Sequence, residues 1–151
     1  MYVLMRDARG STTVEFVLVV PILLFLTVGL LDVARALNAQ VVLKSASEEG
    51  AHFAMLNPTA PPSAIQDAAR ARTAPLAADS IAVTAEYYNA AGATFVPWPS
   101  TGIPASSPGP TGVMVRITVS YPWSAVSALA GQFVSPATRT LTSSSLMETR
   151  R

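Results

Sequence analysis

Sixteen consecutive residues, Phe16 to Leu31 (FVLVVPILLFLTVGLL), carry no charge, and this run limits what the chain can fold into more than any other feature. A stretch so apolar is covered either by protein or by lipid. Counted from Ser11, the segment is about 31 Å long at ~1.5 Å per residue, enough for a hydrocarbon core of ~30 Å. Glu15 stands at its mouth, next to Phe16. An ionised carboxylate costs at least ~2.5 kcal/mol at the centre of a bilayer helix. Packing therefore does not explain Glu15. Either it snorkels to the headgroups, ~6 Å along the helix from Ser11, or it has a task.

Charge alone orients the segment weakly. Arg6 and Arg9 precede it, but Asp7 offsets one of them, and Arg35 and Lys44 lie just beyond the far end. The positive-inside tendency puts the short basic end in the cytoplasm by a small margin. Past Asp32 and Arg35 the pattern becomes amphipathic. Ala39, Val42, Leu43, Ala46, Gly50 and Phe53 recur at three- and four-residue spacing, with Lys44, Glu48 and Glu49 off that stripe. Asn57-Pro58 ends the pattern, because a residue before proline is pushed out of the helical region. The spacing predicts one helix from about Thr12 to Leu56, with Pro21 loosening or kinking its apolar half.

The remainder reads as a small head. Ser63-Ala-Ile-Gln66 matches a capping box and predicts a helix over 64–73, stopped by Pro75. Then the period changes to two. Ile81, Val83, Ala85 and Tyr87 form one strand, and Val113, Val115, Ile117, Val119 and Tyr121 a second. Residues 138–147 alternate more weakly, as an edge strand does. Residues 89–111 hold five prolines and three glycines and read as an irregular loop. Within it Trp98, between Pro97 and Pro99, is expected to be exposed and is the candidate partner contact. A helical turn or two is expected from Pro122 to about Gly131. The expected fold class is α+β, a long helix packed on a small antiparallel sheet. Its divisions are a leader over 1–10, a transmembrane helix over 11–35, an amphipathic extension over 36–57 and a head over 58–151.

Little in the chain points to catalysis. With no cysteine there is no disulfide, thiolate metal site or thiol nucleophile. His52 is the one histidine. Glu48 and Glu49 are adjacent and so face different ways on a helix. Asp67, Asp79 and Glu86 lack basic or metal-ligating partners at motif spacing, and Ser143-Ser144-Ser145 lacks the glycines of a hydrolase nucleophile turn. A net charge of +1 without basic clusters gives no footprint for nucleic acid. No cofactor or metal is expected.

Gly10, then Glu15 five residues on, Phe16 and the apolar run resemble the leader region of type IV prepilins. More closely, GSTTVEFVLVVPILLFLTVGLLDVARAL is similar to the TadE/TadG-like minor pseudopilins of Flp (tight-adherence) pilus machines. That family commonly shows a Glu-Phe pair, an early proline, and an acidic residue and arginine closing the segment, here Asp32 and Arg35. The strand VMVRITVSYPW and the terminal SSSLMETR also resemble its distal part. The resemblance implies cleavage between Gly10 and Ser11 by a membrane prepilin peptidase. It implies an inner-membrane protein crossing once, its N-terminus cytoplasmic and its head periplasmic or extracytoplasmic. The other implied partners are pilin-like subunits, with Glu15 pairing with the freed ammonium of a neighbour to set helix register. Two other readings compete. One is a single-pass anchored protein whose outer domain binds a partner. The other is a secreted protein cleaved after Ala36, since Ala34-Arg35-Ala36 has the A-x-A form of a signal-peptide site.

Overall fold

The structure, a computed structural model, describes residues 8–74, 76–103, 112–125 and 138–149. Two helices lie on one face of a four-stranded antiparallel sheet. Helix α1 spans Ala8–Leu56 and α2 spans Pro62–Arg70. A short 3-10 turn, Ala78–Ser80, leads into strands β1 (Ala82–Asn89), β2 (Thr94–Pro97), β3 (Met114–Ser124) and β4 (Thr138–Glu148). The spatial order is β2-β1-β3-β4, every neighbouring pair antiparallel. The α+β expectation holds.

Helix α1 is unbroken over 49 residues, about 74 Å at ~1.5 Å per residue. It is already helical at Ala8, ahead of the expected Thr12, so the Gly10–Ser11 peptide lies inside a helical turn. Residues 1–7 of the expected leader lie outside the described residues. Pro21 interrupts the bonding without ending the helix, because it lacks the N–H that Val17's carbonyl would accept. At the other end, the backbone and side-chain nitrogens of Asn57 both donate to the carbonyl of Phe53, at 2.9 and 3.1 Å. That ends the helix where Asn57-Pro58 predicts.

Only the second half of α1 joins the core. Ala39, Leu43, Ala46, Ser47, Gly50, Ala51 and Ala54 are buried there, a face of mostly small side chains that lets the helix axis come close to the sheet. The approach is tightest at Gly50. A Cβ at that position would lie 3.1 Å from both the Ala69 Cβ and the Ile117 Cγ2. Leu43, Ile65, Val115, Ile117 and Val119 are fully buried between the layers, and full burial of such a side chain contributes ~1.5–3 kcal/mol.

Four local expectations are corrected. Helix α2 starts at Pro62 rather than after a Ser63 cap, since proline lacks an N–H and has a preset φ that suits the first helical position. Ser63 makes no capping bond, and the Gln66 amide instead donates to the Val83 carbonyl of β1 at 3.3 Å. The helix ends at Arg70, where the Thr73 hydroxyl donates to the Arg70 carbonyl at 2.7 Å. The stretch 89–111 is not wholly irregular, because β2 lies within it and closes a hairpin on β1. The Asn89 side-chain oxygen, accepting from the Ala91 N–H at 3.0 Å, helps form the turn. Residues 122–124 continue β3 rather than starting a helical turn. Pro122 is tolerated there because β1 has already ended at the Ala82–Ser120 pair, leaving that side of β3 without a neighbour. The rest of that expected turn, 126–131, and residues 104–111 of the loop lie outside the described residues.

Trp98 is the fourth correction. It is 5% exposed and belongs to the core, not to a projecting loop. Its backbone N–H donates to the Ala85 carbonyl and its indole Nε1–H to the Ala60 carbonyl, each at 2.9 Å. Ile103 N–H donates to the Pro58 carbonyl at 2.8 Å, so residues 98–103 fold over the α1–α2 connection. Gly102 has φ +78°, and a Cβ there would run into the Thr59 backbone. Both the conformation and the space require glycine.

The contact at Gly50 generates a stability prediction. Gly50→Val should lower the thermal midpoint of the detergent-solubilised chain, at a cost of about 1–3 kcal/mol for overpacking. Circular dichroism melting checks this, and an unchanged midpoint would mean that the helix–sheet spacing is not tight there.

Candidate functional site

The N-terminal half of α1 differs from the rest of the molecule in what covers it. From Thr13 to Leu31 every described side chain is exposed except Val20, which is half-buried. Its most apolar 18-residue window has a mean hydropathy of 2.7 and no buried residue. A core helix of a soluble domain hides its apolar side chains; this one presents Phe16, at 68% exposure, together with leucines and valines on all sides. It is the one helix among the described residues long and apolar enough to cross a membrane. The i−4 bond from Thr27 Oγ1 to the Leu23 carbonyl, 2.8 Å, satisfies the only hydroxyl in the segment between Phe16 and Leu31 within the helix itself.

Glu15 and Phe16 are exposed at the start of this segment. Glu15 follows Ser11 by four residues in the same helix. No ion pair to Glu15 occurs among the described residues. Gly10 and Ser11 are placed in the helical backbone preceding it.

Asp32 and Arg35 are separated by the structure. Asp32 is 6% exposed, whereas Arg35 is mostly exposed, and their charged atoms are 4.0 Å apart. Asp32 is buried because of phase. It precedes Ala36, Ala39, Leu43, Ala46 and Gly50 at steps of four and three residues, which is the face that the head covers. Sequence reading placed this carboxylate at the end of the apolar segment; the structure shows it buried there. Ala34-Arg35-Ala36 lies within the unbroken helix.

Two carboxylates of the head, Glu49 and Glu86, go to partners distant in sequence. Glu49 accepts from two nitrogens of Arg72, Nε at 3.2 Å and Nη2 at 3.1 Å, while Glu48 faces Lys44 at 4.0 Å. Glu86 lies opposite Arg116 on neighbouring strands and pairs with it at 2.7 Å. That guanidinium also sits 4.1 Å above the Phe95 ring. These partners are separated by 23 and 30 residues, so no short motif announces them. Thr149 was also missed. Its hydroxyl accepts from Val113 N–H at 2.8 Å, and its own N–H donates to the Val113 carbonyl at 2.9 Å, closing the end of the β3–β4 ladder. His52 is exposed. Among the described residues no group of three or more acidic or histidine side chains converges on a metal-sized space.

An uncovered apolar helix with a carboxylate near its start thus continues into the half of α1 that packs on the sheet. Residues 10–52 match the family of TadE-like proteins. The TadE-like segment thus runs from the Gly10 junction through the apolar half of α1 to His52, near the end of the packed half. It includes Gly10, Ser11, Glu15, Phe16, Asp32 and Arg35, and leaves α2 and the whole sheet outside. No curated protein and no solved structure gives a match.

Burial of Trp98 makes it a stability residue. Trp98→Phe should destabilise the head by about 1–3 kcal/mol by leaving the part-buried Ala60 carbonyl without its donor, and Trp98→Ala by about 3–5 kcal/mol. Thermal melts of the two variants check the order. A residue serving only as a surface contact would leave both midpoints unchanged.

Proposed function

We propose that this protein is a minor pseudopilin of a Tad-type pilus machine, anchored once in the inner membrane by α1 with its head outside the cytoplasm. The observation that carries this reading is the TadE-like match across 10–52, falling on a helix whose apolar half is left uncovered by its own fold. A TadE-like segment suggests a part in Tad pilus-related function, and the uncovered half of α1 suggests single-pass anchoring. The role is structural, with the helix as the working part.

In the proposed mechanism a prepilin peptidase cuts the peptide bond between Gly10 and Ser11. Because that bond lies in a helical turn, the first turn has to unwind before an extended segment can enter a protease cleft. Gly10 eases this, since glycine in a helix interior is less favourable than alanine by ~1 kcal/mol. The cut leaves an ammonium on Ser11, one turn from Glu15. An unpaired carboxylate in hydrocarbon is penalised and an ammonium at the same depth removes the penalty. A neighbouring pilin-like subunit that offers its own freed N-terminus to Glu15 is held at one axial position, and the pair sets helix register.

Intact mass of the membrane-extracted protein tests the cut. A start at Ser11 is expected; a start at Met1 supports a plain anchor and one at Leu37 a secreted product. Glu15→Ala is expected to leave that mass unchanged while reducing pilus formation on the cell surface by about tenfold or more, as losing a charge-paired contact of ~1.4 kcal/mol or more would. Normal piliation in the variant would remove the register role.

A further inference from the structure

The sheet presents its second face and one long edge to solvent, and the two meet at a defined place. Helices α1 and α2 cover the face that carries Val83, Ala85, Val115, Ile117 and Val119. Opposite, the cross-strand rows are Phe95–Tyr88–Met114–Glu148 and Pro97–Glu86–Arg116–Leu146, followed by rows of threonine and serine. The apolar and aromatic side chains are therefore gathered at one end of this face. Met114 is 40% and Leu146 52% exposed. An open groove of about 230 Å³ runs beside Tyr88, Met114 and Glu148.

Along α1, moving away from the apolar half, Gln40 meets Thr142, Ser47 meets Ser143, and Gly50 meets Ile117, the partner of Ser145. The aromatic end of the sheet is thus the end farther from the apolar segment.

Strand β4 is the sheet's long edge. Val113 and Thr149 form a hydrogen-bonded pair, so alternation directs the backbone groups of 147, 145, 143 and 141 towards β3. The N–H and C=O of Thr142, Ser144, Leu146 and Glu148 consequently point away from the sheet. At Thr142 the fold has already used the carbonyl, which accepts from Gln40 Nε2 at 3.1 Å. Beyond it, among the described residues, no hydrogen bond reaches the outward groups of Ser144, Leu146 and Glu148. The side chains there do not block access: serine is small, leucine half-exposed, and Glu148 makes no ion pair among the described residues.

We propose that Ser144–Glu148 accepts an added β-strand from a different polypeptide, with an apolar side chain beside Leu146 and a basic one beside Glu148. Charge complementarity selects the basic residue, because Glu86, the other acid on this face, is already neutralised by Arg116. Strand addition supplies main-chain hydrogen bonds, and side chains at alternate positions supply the choice of partner. A two-fold β4–β4 pair with a second copy is not the occupant. Antiparallel β4–β4 pairing about a two-fold axis perpendicular to the sheet reverses the α1 direction, which would point the two apolar segments opposite ways. Gln40 limits the register by occupying the edge at Thr142, so the strand docks at the end away from the apolar helix.

The test uses the full chain in detergent micelles and a fluorescein-labelled peptide alternating threonine with valine, one valine replaced by lysine. Control peptides carry glutamate in place of the lysine, or a central proline. The lysine peptide is expected to bind and to slow hydrogen exchange at the Leu146 and Glu148 amides, with the proline peptide inert. Leu146→Pro removes an outward N–H and should weaken binding by about tenfold or more. Glu148→Lys, a surface change, should reverse the preference to the glutamate peptide. If Leu146→Pro loses its near-ultraviolet dichroism, Glu148→Lys decides alone. No binding, unchanged exchange at saturating peptide, or an unreversed preference would each overturn the proposal. None of these readouts depends on cleavage at Gly10 or on pilus formation.

Discussion

The contact of α1 with the sheet at Gly50 is the constraint on which the head depends. A side chain larger than hydrogen there would press on Ala69 and Ile117 together, so a single point ties α1, α2 and β3 into one core. Small residues before and after it, Ala46, Ser47, Ala51 and Ala54, keep the helix near the sheet over several turns. Close approach lets a small sheet bury Leu43, Ile65 and the valine and isoleucine side chains of β3 without a second sheet. The helix whose first half is long and apolar enough to cross a membrane is therefore also a wall of the head's core.

The rest of the head is tied down where strand pairing ends. The indole of Trp98 and the Ile103 amide fasten the segment after β2 to the α1–α2 connection. Thr149 closes the opposite end of the sheet with two bonds to Val113. The Glu49–Arg72 contact adds a partly solvent-exposed link between α1 and the end of α2, and such pairs contribute little to stability. What holds the head is burial and main-chain bonding.

How much of this was legible in the chain follows from the range of each signal. The apolar run, the stripe from Ala39 to Phe53, the stop at Asn57 and the alternations around Val83 and Ile117 are periodic and local, and the structure reproduces them. Strand β2 was hidden because its four residues sit among prolines and glycines and exist through pairing with β1. Trp98 was misread for a related reason. Flanking prolines suggest an exposed loop, but its burial depends on Ala60, 38 residues earlier. Ser63 shows two local signals in competition, with Pro62 prevailing over the cap. At the candidate site, the exposed place of Glu15 at the start of the apolar run was legible in the chain. Asp32 was legible only as a boundary, because its burial depends on helical phase relative to the head.

An unbroken helix also makes the chain a counting device. Between Glu15 and Gly50 nothing ends the helix, and only Pro21 interrupts its bonding. The direction in which the head's open sheet face looks, measured from the Glu15 carboxylate, is thus set by the number of intervening residues. One residue added between Asp32 and Ala39 would turn the head by about 100° and raise it by about 1.5 Å relative to the apolar segment. The open sheet edge would then face a new azimuth about the helix axis. Helix length, more than any side chain in the head, decides which way this protein faces.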